Sequence, residues 1–257
     1  MNKSISLVIV ETDAYHLARR AVERTINLFH VDEVLIFSDQ PSQWEGYSVF
    51  QIDKIRSLTD FNRIIFSELP HQLKTDFALL IQFDGFVINP SSFTDFFYNF
   101  DYIGAPWPSG MLPGHGALVG NGGFSLRSRR LIEILSKYQQ FVNFEHAEDV
   151  TICRFLRPML EECEGICFAP VEVARHFSSE FEIVKNISPF GFHGLQTLPK
   201  VYSDDYKFLI DHLPDRCLQK NSYQLYNLQQ GFMHLNSEAQ SLFNHRVQEL
   251  DLRICNP

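Results

Sequence analysis

Residues 77–85 read Phe77-Ala-Leu-Leu-Ile-Gln-Phe-Asp-Gly85. An apolar run without alternation, closed by an Asp-Gly pair, is the pattern of a strand covered on both faces. The N-terminal side repeats this texture. Residues 6–10 form a second such run, and residues 15–29 then place Leu17, Ala18, Ala21, Val22, Thr25, Ile26 and Phe29 at helical spacing. Residues 33–37 predict a strand stopped by Ser38-Asp-Gln-Pro41, and residues 47–52 another. Residues 60–69 predict a helix capped by Thr59 or Asp60. Strands alternating with helices imply an α/β fold with a mostly parallel, helix-covered sheet.

On the C-terminal side the texture changes twice. From Pro106 to Gly123 prolines and glycines crowd a span with few periodic apolar positions, which predicts a long functional loop. Beyond Val201 the pattern is helical and polar, with Tyr206, Phe208, Leu209, Ile210, Phe243, Val247 and Leu250 as apolar faces. The expected organisation is therefore an α/β domain over residues 1–200 with a helical extension, residues 201–257, packed on it. No internal repeat or low-complexity tract interrupts it.

Composition narrows the function. The 257 residues are enough for one large core. A net charge of -9 argues against a nucleic-acid partner, which would call for a basic face. The apolar run from Leu7 to Val10 is too short for a signal-peptide core or membrane span, and no later segment reaches spanning length. Five cysteines are odd in number and too sparse for a disulfide framework, so a cytoplasmic setting is expected. Cys163 and Cys167 have no second Cys/His pair at zinc-ligand spacing and read as packing residues.

In open α/β sheets, ligands bind beyond the carboxyl ends of the strands. Here those ends are Glu11-Thr-Asp13, Ser38-Asp39 and Asp84-Gly85. Asp84 suits a hard divalent cation, with a plain Asp-Gly turn as the alternative. Gly120-Asn-Gly-Gly-Phe-Ser-Leu-Arg127 offers backbone that can press against a sugar or diphosphate, or a hairpin without a ligand. It is neither a Rossmann fingerprint nor a P-loop, because the glycine spacing and the Gly-Lys-Ser/Thr element are absent. Glu148 and Asp149 precede a helical run, where a carboxylate either caps the helix or serves as a base beside a bound hydroxyl. His193, in Ser188-Pro-Phe-Gly-Phe-His-Gly194, is accessible to a metal or phosphate; His176 and Glu180 are candidates of the same kind.

Taken in order, Asp60-Phe-Asn-Arg63, Gln82-Phe-Asp84, Asp101-Tyr-Ile-Gly-Ala-Pro-Trp107, Gly120-Asn-Gly-Gly-Phe-Ser-Leu126, Glu148-Asp149 and Pro189-Phe-Gly-Phe-His193 resemble a bacterial family assigned to the GT-A glycosyltransferases. The order is distantly similar to that of β-1,4-galactosyltransferases. The likeness covers about residues 1–195 and implies a Rossmann-like GT-A fold and a nucleotide-sugar donor, a UDP-sugar being favoured. It also implies a glycan or glycolipid acceptor, as in polysaccharide biosynthesis. By position, Asp84 matches the last acid of an Asp-x-Asp motif holding Mn2+ or Mg2+ on the diphosphate, and His193 the histidine completing that site. Asp149 matches the base, giving inversion, and Glu148 an acceptor ligand. Glu11, Thr12, Arg63, Gln82, Asn121, Gly122 and Gly123 would lie on the donor. Gln82 departs from the motif, standing where its first Asp is expected. A non-catalytic nucleotide or carbohydrate module and a metal-dependent hydrolase are the alternatives, and homo-oligomerisation is left open.

Overall fold

The computed structural model describes residues 3–108, 118–141, 145–180 and 186–255. Strand β1 (Ile5–Val10) is followed by helix α1 (Tyr15–Leu28), which turns Leu17, Ala18, Ala21, Val22 and Thr25 onto the sheet. Strands β2 (Glu33–Ser38) and β3 (Val49–Gln51) extend the sheet on one side of β1. Helix α2 (Leu58–Arg63) continues through a wide turn, Ile64–Glu68, into α3 (Leu69–Gln72). The cap is Ser57, whose Oγ accepts the Asp60 N–H at 3.2 Å, not Thr59 or Asp60 as expected. Asp60 instead accepts the Arg56 N–H, which draws its carboxylate one turn too far back to cap. The wide turn runs up to Pro70, which has no N–H to continue the regular ladder.

Chain reversal then places β4 (Phe77–Ile81), buried along its whole length, on the other side of β1. The strand stops two residues short of the predicted end. Gln82 and Gly85 exchange backbone hydrogen bonds of 2.9 and 3.0 Å, so residues 82–85 form a tight turn with Asp84 near its tip. Strand β5 (Tyr102–Gly104) leads into a short ribbon of β6 (Pro106–Trp107) and β7 (Leu118–Val119). The central part of the predicted long loop lies outside the described residues. Strand β8 (Ser125–Ser128) runs antiparallel between β4 and β5, completing the order β3-β2-β1-β4-β8-β5. Four parallel strands and helical cover make this the α/β architecture expected.

Helix α4 (Arg129–Tyr138), capped by Ser128, packs Leu131, Ile132, Ile134 and Leu135 inward. A one-turn α5 (Glu148–Val150) widens over Thr151–Leu156 before α6 (Arg157–Glu162), again approaching a proline, Pro158. Helix α7 (Val171–Phe177) and the parallel pair β9 (Ser178–Ser179) and β10 (Gly191–Phe192) follow. Six of the 24 phenylalanines pack together beside this pair, where Phe29, Phe93, Phe97, Phe124, Phe177 and Phe190 meet edge to face or tilted, with Phe124 stacked on Phe177, at centroid distances of 4.7–5.7 Å.

The C-terminal region is helical: α8 (Leu198–Val201), α9 (Tyr206–His212), a 3-10 turn at Asp215–Leu218, α10 (Tyr223–Phe232) and α11 (Ser237–Cys255). It is tied to α1 by the 3.1 Å Arg20–Asp205 ion pair and by Arg20 over the Phe208 ring. Gly231 lets α10 approach so closely that a Cβ there would meet the Gln196 carbonyl and the Pro199 ring. No helix among the described residues is long and apolar enough to cross a membrane. Cys163 and Cys167 are free and exposed.

Candidate active site

Strand order reverses between β1 and β4, so the crevice beyond their carboxyl ends is the natural ligand site. The β1 end delivers Glu11 and Thr12, and the turn after β4 delivers Gln82 and Asp84. Glu11 fixes the turn that leads into α1 by accepting the Asp13 and Ala14 N–H groups at 2.6 and 2.9 Å. Burial raises its pKa against those bonds and the nearby charge of Arg216. Thr12 accepts the Ile55 N–H at 3.1 Å, which fixes the wall of a cavity of about 580 Å³ lined by residues 51–55, Asp60, Arg63, Ile64 and Glu68. Thr12 and Arg63 thus belong to one end of the crevice. Arg63 is well exposed and 3.8 Å from Asp60.

The other end centres on His193, at the exit of β10. Its Nε2 is 3.2 Å from Gln82 Oε1 and 3.7 Å from Asp84 Oδ1, and its Nδ1 is 2.9 Å from Asn121 Nδ2 and 3.2 Å from Glu180 Oε1. Burial drives the imidazole pKa down, but Asp84 and Glu180 outweigh it and carry it up to about 9. The ring therefore holds a proton at neutral pH, as a cation between two carboxylates.

Asp84 Oδ1 is buried yet accepts no hydrogen bond among the described residues. A buried carboxylate oxygen without a hydrogen bond calls for a positive partner, a place the protonated His193 ring fills at 3.7 Å and a metal ion would take over once that proton is lost. Together with Gln82 Oε1 and, once deprotonated, His193 Nε2, the Asp84 oxygen makes an oxygen-rich donor set suited to a hard divalent ion. Glu180, on the far ring nitrogen, is the kind of carboxylate that orients a metal-binding histidine. Among the described residues no three His, Cys, Asp or Glu side chains form a metal-holding group. The set here has only one acid and one histidine facing the ion position, with the amide of Gln82 as third donor.

The glycine-rich segment serves the protein's own side chains. Asn121 adopts a left-handed backbone (φ 56°) and accepts the Gly123 N–H on its side chain at 3.1 Å. A Cβ at Gly123 would overlap the His193 imidazole, one at Gly122 would overlap Glu148 Oε1, and one at Gly120 the Trp107 ring. Gly85 closes on His193 from the other side, where a Cβ would stand 2.8 Å from its Cδ2.

Across this segment from His193 lies the second acidic pair. Glu148 is buried and its Oε1 takes a 2.6 Å bond from Arg127, whose side chain is fully buried beside Ser125 and Tyr102. Asp149 accepts the Gly122 N–H at 2.9 Å and the Val150 N–H at 2.7 Å. Burial, then the adjacent Glu148 charge, raises the Asp149 pKa to about 7 despite those bonds and Arg127. Asn62 holds the approach to this pair through a 2.8 Å bond from its amide to the His146 carbonyl.

The sequence-predicted residues thus fall into three groups. Gln82, Asp84, Asn121, Gly123 and His193 meet directly; Gly122, Glu148 and Asp149 lie against them; Glu11, Thr12 and Arg63 lie toward the other end of the crevice, with Arg63 touching neither acidic cluster. Arg127, which the sequence offered only as the basic start of a helix, proves to be the partner of Glu148. A cavity of about 140 Å³ between Asp84, Glu180, His193 and residues 223, 224 and 227 of α10 had no local signal at all.

The pattern of a family described as "Protein of unknown function (DUF5672)" matches residues 46–193, more than half of the chain. No curated protein matches. Among solved structures, glucosyl-3-phosphoglycerate synthase from Mycobacterium tuberculosis, in complex with Mn2+, UDP-glucose and phosphoglyceric acid, is similar at 13% identity and a TM-score of 0.36, over 51% of this chain and 58% of that one. The bifunctional IspDF from Campylobacter jejuni is similar at 10% identity and a TM-score of 0.38, over 58% and 46%. The mannosyltransferase PcManGT from Pyrobaculum calidifontis, in complex with GDP-Man and Mn2+, is similar at 7% identity and a TM-score of 0.43, over 98% and 76%. The chain spans little more than half the length of the first solved structures it matches.

Proposed function

We propose that this chain, which belongs to the DUF5672 family of proteins of unknown function, is a glycosyltransferase that moves a sugar from a nucleotide-sugar donor to a hydroxyl of a glycan or glycolipid. The observation that carries this reading is the pairing, across Asn121–Gly123, of a donorless buried carboxylate beside His193 with a carboxylate, Asp149, tuned to about 7. Sugar transfer needs both: a cation-binding end for a leaving diphosphate and a base for a poorly nucleophilic hydroxyl.

Asp149 would take the acceptor proton as the acceptor oxygen forms its bond to the anomeric carbon. The bond from that carbon to the phosphate oxygen breaks, and its electron pair leaves with the nucleoside diphosphate. In-line attack gives inversion. Glu148, committed to Arg127, keeps the Asp149 pKa high and supports the Gly122 backbone, a positioning role alongside any acceptor contact. Mn2+ or Mg2+, held by Asp84, His193 and Gln82, would supply positive charge to the diphosphate. Thr12 and Arg63 mark the nucleotide end.

The test is a panel of UDP-, GDP-, ADP-, CDP- and dTDP-sugars offered with Mn2+ and glycan or glycolipid acceptors, with glycoside product and free nucleotide measured. Transfer with at least one donor is expected, with UDP-sugars tried first. Failure of every nucleotide and nucleotide sugar to bind would overturn the reading.

A further inference from the structure

The helical C-terminal region sends one cation into the crevice. Arg216 lies in the 3-10 turn Asp215–Leu218, between Asp215, paired at 3.1 Å with Arg246 of α11, and Cys217 and Leu218, both fully buried. The turn is therefore anchored on both sides of a side chain that is itself half-exposed. That side chain lies over the Phe83 ring at 5.6 Å, inside the turn that presents Asp84, and its Nε donates to Asp13, just past β1, at 2.7 Å. Arg216 thus bridges the ends of β1 and β4 at the point where the strand order reverses.

A half-exposed ion pair contributes little to stability, so the Asp13 contact does not by itself explain an arginine so firmly delivered. The pair uses Nε alone. Among the described residues neither Nη1 nor Nη2 of Arg216 has a hydrogen-bond partner, which leaves the end of the guanidinium fork free for two oxygens of one phosphate. In a protein of net charge -9, with Glu11, Asp13 and Asp84 lining these strand ends, an anionic ligand would require cations there, and besides the His193 ring Arg216 supplies one.

We propose that Arg216 is the side chain that receives the departing diphosphate of the nucleotide-sugar donor, so that the C-terminal helices complete the donor site. This rests on the glycosyltransferase reading above. When the bond from the anomeric carbon to the phosphate oxygen breaks and its electron pair passes to the diphosphate, the new negative charge meets the Arg216 fork, while the acceptor proton goes to Asp149.

Calorimetry of the full chain with UDP, GDP, ADP, CDP and dTDP and with the matching nucleosides, in Mn2+, tests this with R216M and R216K. For the nucleotide that binds, R216M should weaken diphosphate affinity roughly 10- to 100-fold and leave nucleoside affinity unchanged, and R216K should fall between. Should R216M not fold, R216K alone still predicts a loss confined to the diphosphate. Equal losses for nucleoside and diphosphate, or none for either, would overturn the assignment while leaving the glycosyltransferase reading intact. A native protein that binds no nucleotide of the panel would overturn both.

Discussion

The backbone N–H of Gly122 donates to Asp149 at 2.9 Å, so the glycine segment holds the candidate base on one flank and His193 on the other. With its pKa raised to about 7 by burial and by Glu148, Asp149 is largely protonated at pH 6 and largely ionised at pH 8. A base works only in the ionised form, so transfer rate should climb across that interval and level off above it. Asp149→Asn should lower the rate roughly 10²- to 10⁴-fold and abolish the rise. Initial rates of product formation against pH check both, and an unchanged profile in the variant would remove Asp149 from the mechanism.

The same shift fixes a stability trend of unusual sign. A carboxyl group whose folded pKa lies above its ordinary 3.8 binds its proton more tightly in the native state. Its contribution is fully present below about pH 4, declines as pH rises from there, and is lost by about pH 7. Asp149→Asn has no such titration, so its Tm relative to native protein should be higher at pH 8 than at pH 5. Thermal melts at the two pH values decide it; a variant whose Tm relative to native protein is no higher at pH 8 than at pH 5 contradicts the buried, charge-strained environment described for Asp149.

Gly122→Ala tests why glycine occupies the segment. The new methyl would overlap Glu148 Oε1, the atom that holds Arg127. Arg127 is fully buried and a loosened partner would leave its charge uncompensated. Loss of one member of a buried pair costs about 3–5 kcal/mol, so denaturant unfolding should show a drop approaching that size. A drop below about 1 kcal/mol would mean that the pair adjusts freely.

How much of this was written in the sequence depends on range. Strand β4 and helix α1 were legible because buried parallel strands and amphipathic helices carry continuous or 3.6-residue apolar patterns. The polar turn after β4 was legible through Asp84-Gly85, though the strand ended earlier because Gln82 pairs back to Gly85. The cap at Ser57 was missed by two residues, since three successive candidates, Ser57, Thr59 and Asp60, satisfy the same local rule. The glycines of residues 120–123 were legible as close approach, but what approaches is the imidazole of His193 and the carboxylate of Glu148, more than 20 residues away. Arg127, Glu180 and Arg216 gained their significance from partners distant in sequence, and no local pattern announces such pairs.

Gln82→Glu adds the carboxylate that the metal-binding motif would lead one to expect, without changing side-chain length. The Gln82 amide oxygen already lies 3.2 Å from His193 Nε2, on the same side as Asp84 Oδ1. A second charged oxygen at that point should tighten Mn2+ binding by roughly tenfold or more, because hard divalent ions gain most from added carboxylate charge. Asp84→Asn should weaken it by at least as much. Titration of Mn2+ followed by electron paramagnetic resonance reads both, and indifference of Mn2+ affinity to both substitutions would place the ion elsewhere.

Glu180→Gln separates a positioning role from a ligating one. Glu180 touches His193 on Nδ1, the ring nitrogen remote from Asp84, and its second oxygen is buried without a hydrogen bond among the described residues. Substitution by glutamine keeps the shape and removes the charge that orients the ring and favours its proton. Outer-shell carboxylates of this kind support metal affinity by about 10- to 100-fold, so Mn2+ binding should weaken within that range at pH 8 while the number of bound ions stays at one. The proton on His193 gives a second readout: without Glu180 one of the charges that carry its pKa to about 9 is gone, and the imidazole should titrate lower by NMR in metal-free protein. A variant that loses Mn2+ entirely would make Glu180 a direct ligand, and one that leaves both the affinity and the imidazole titration untouched would make the contact with His193 incidental.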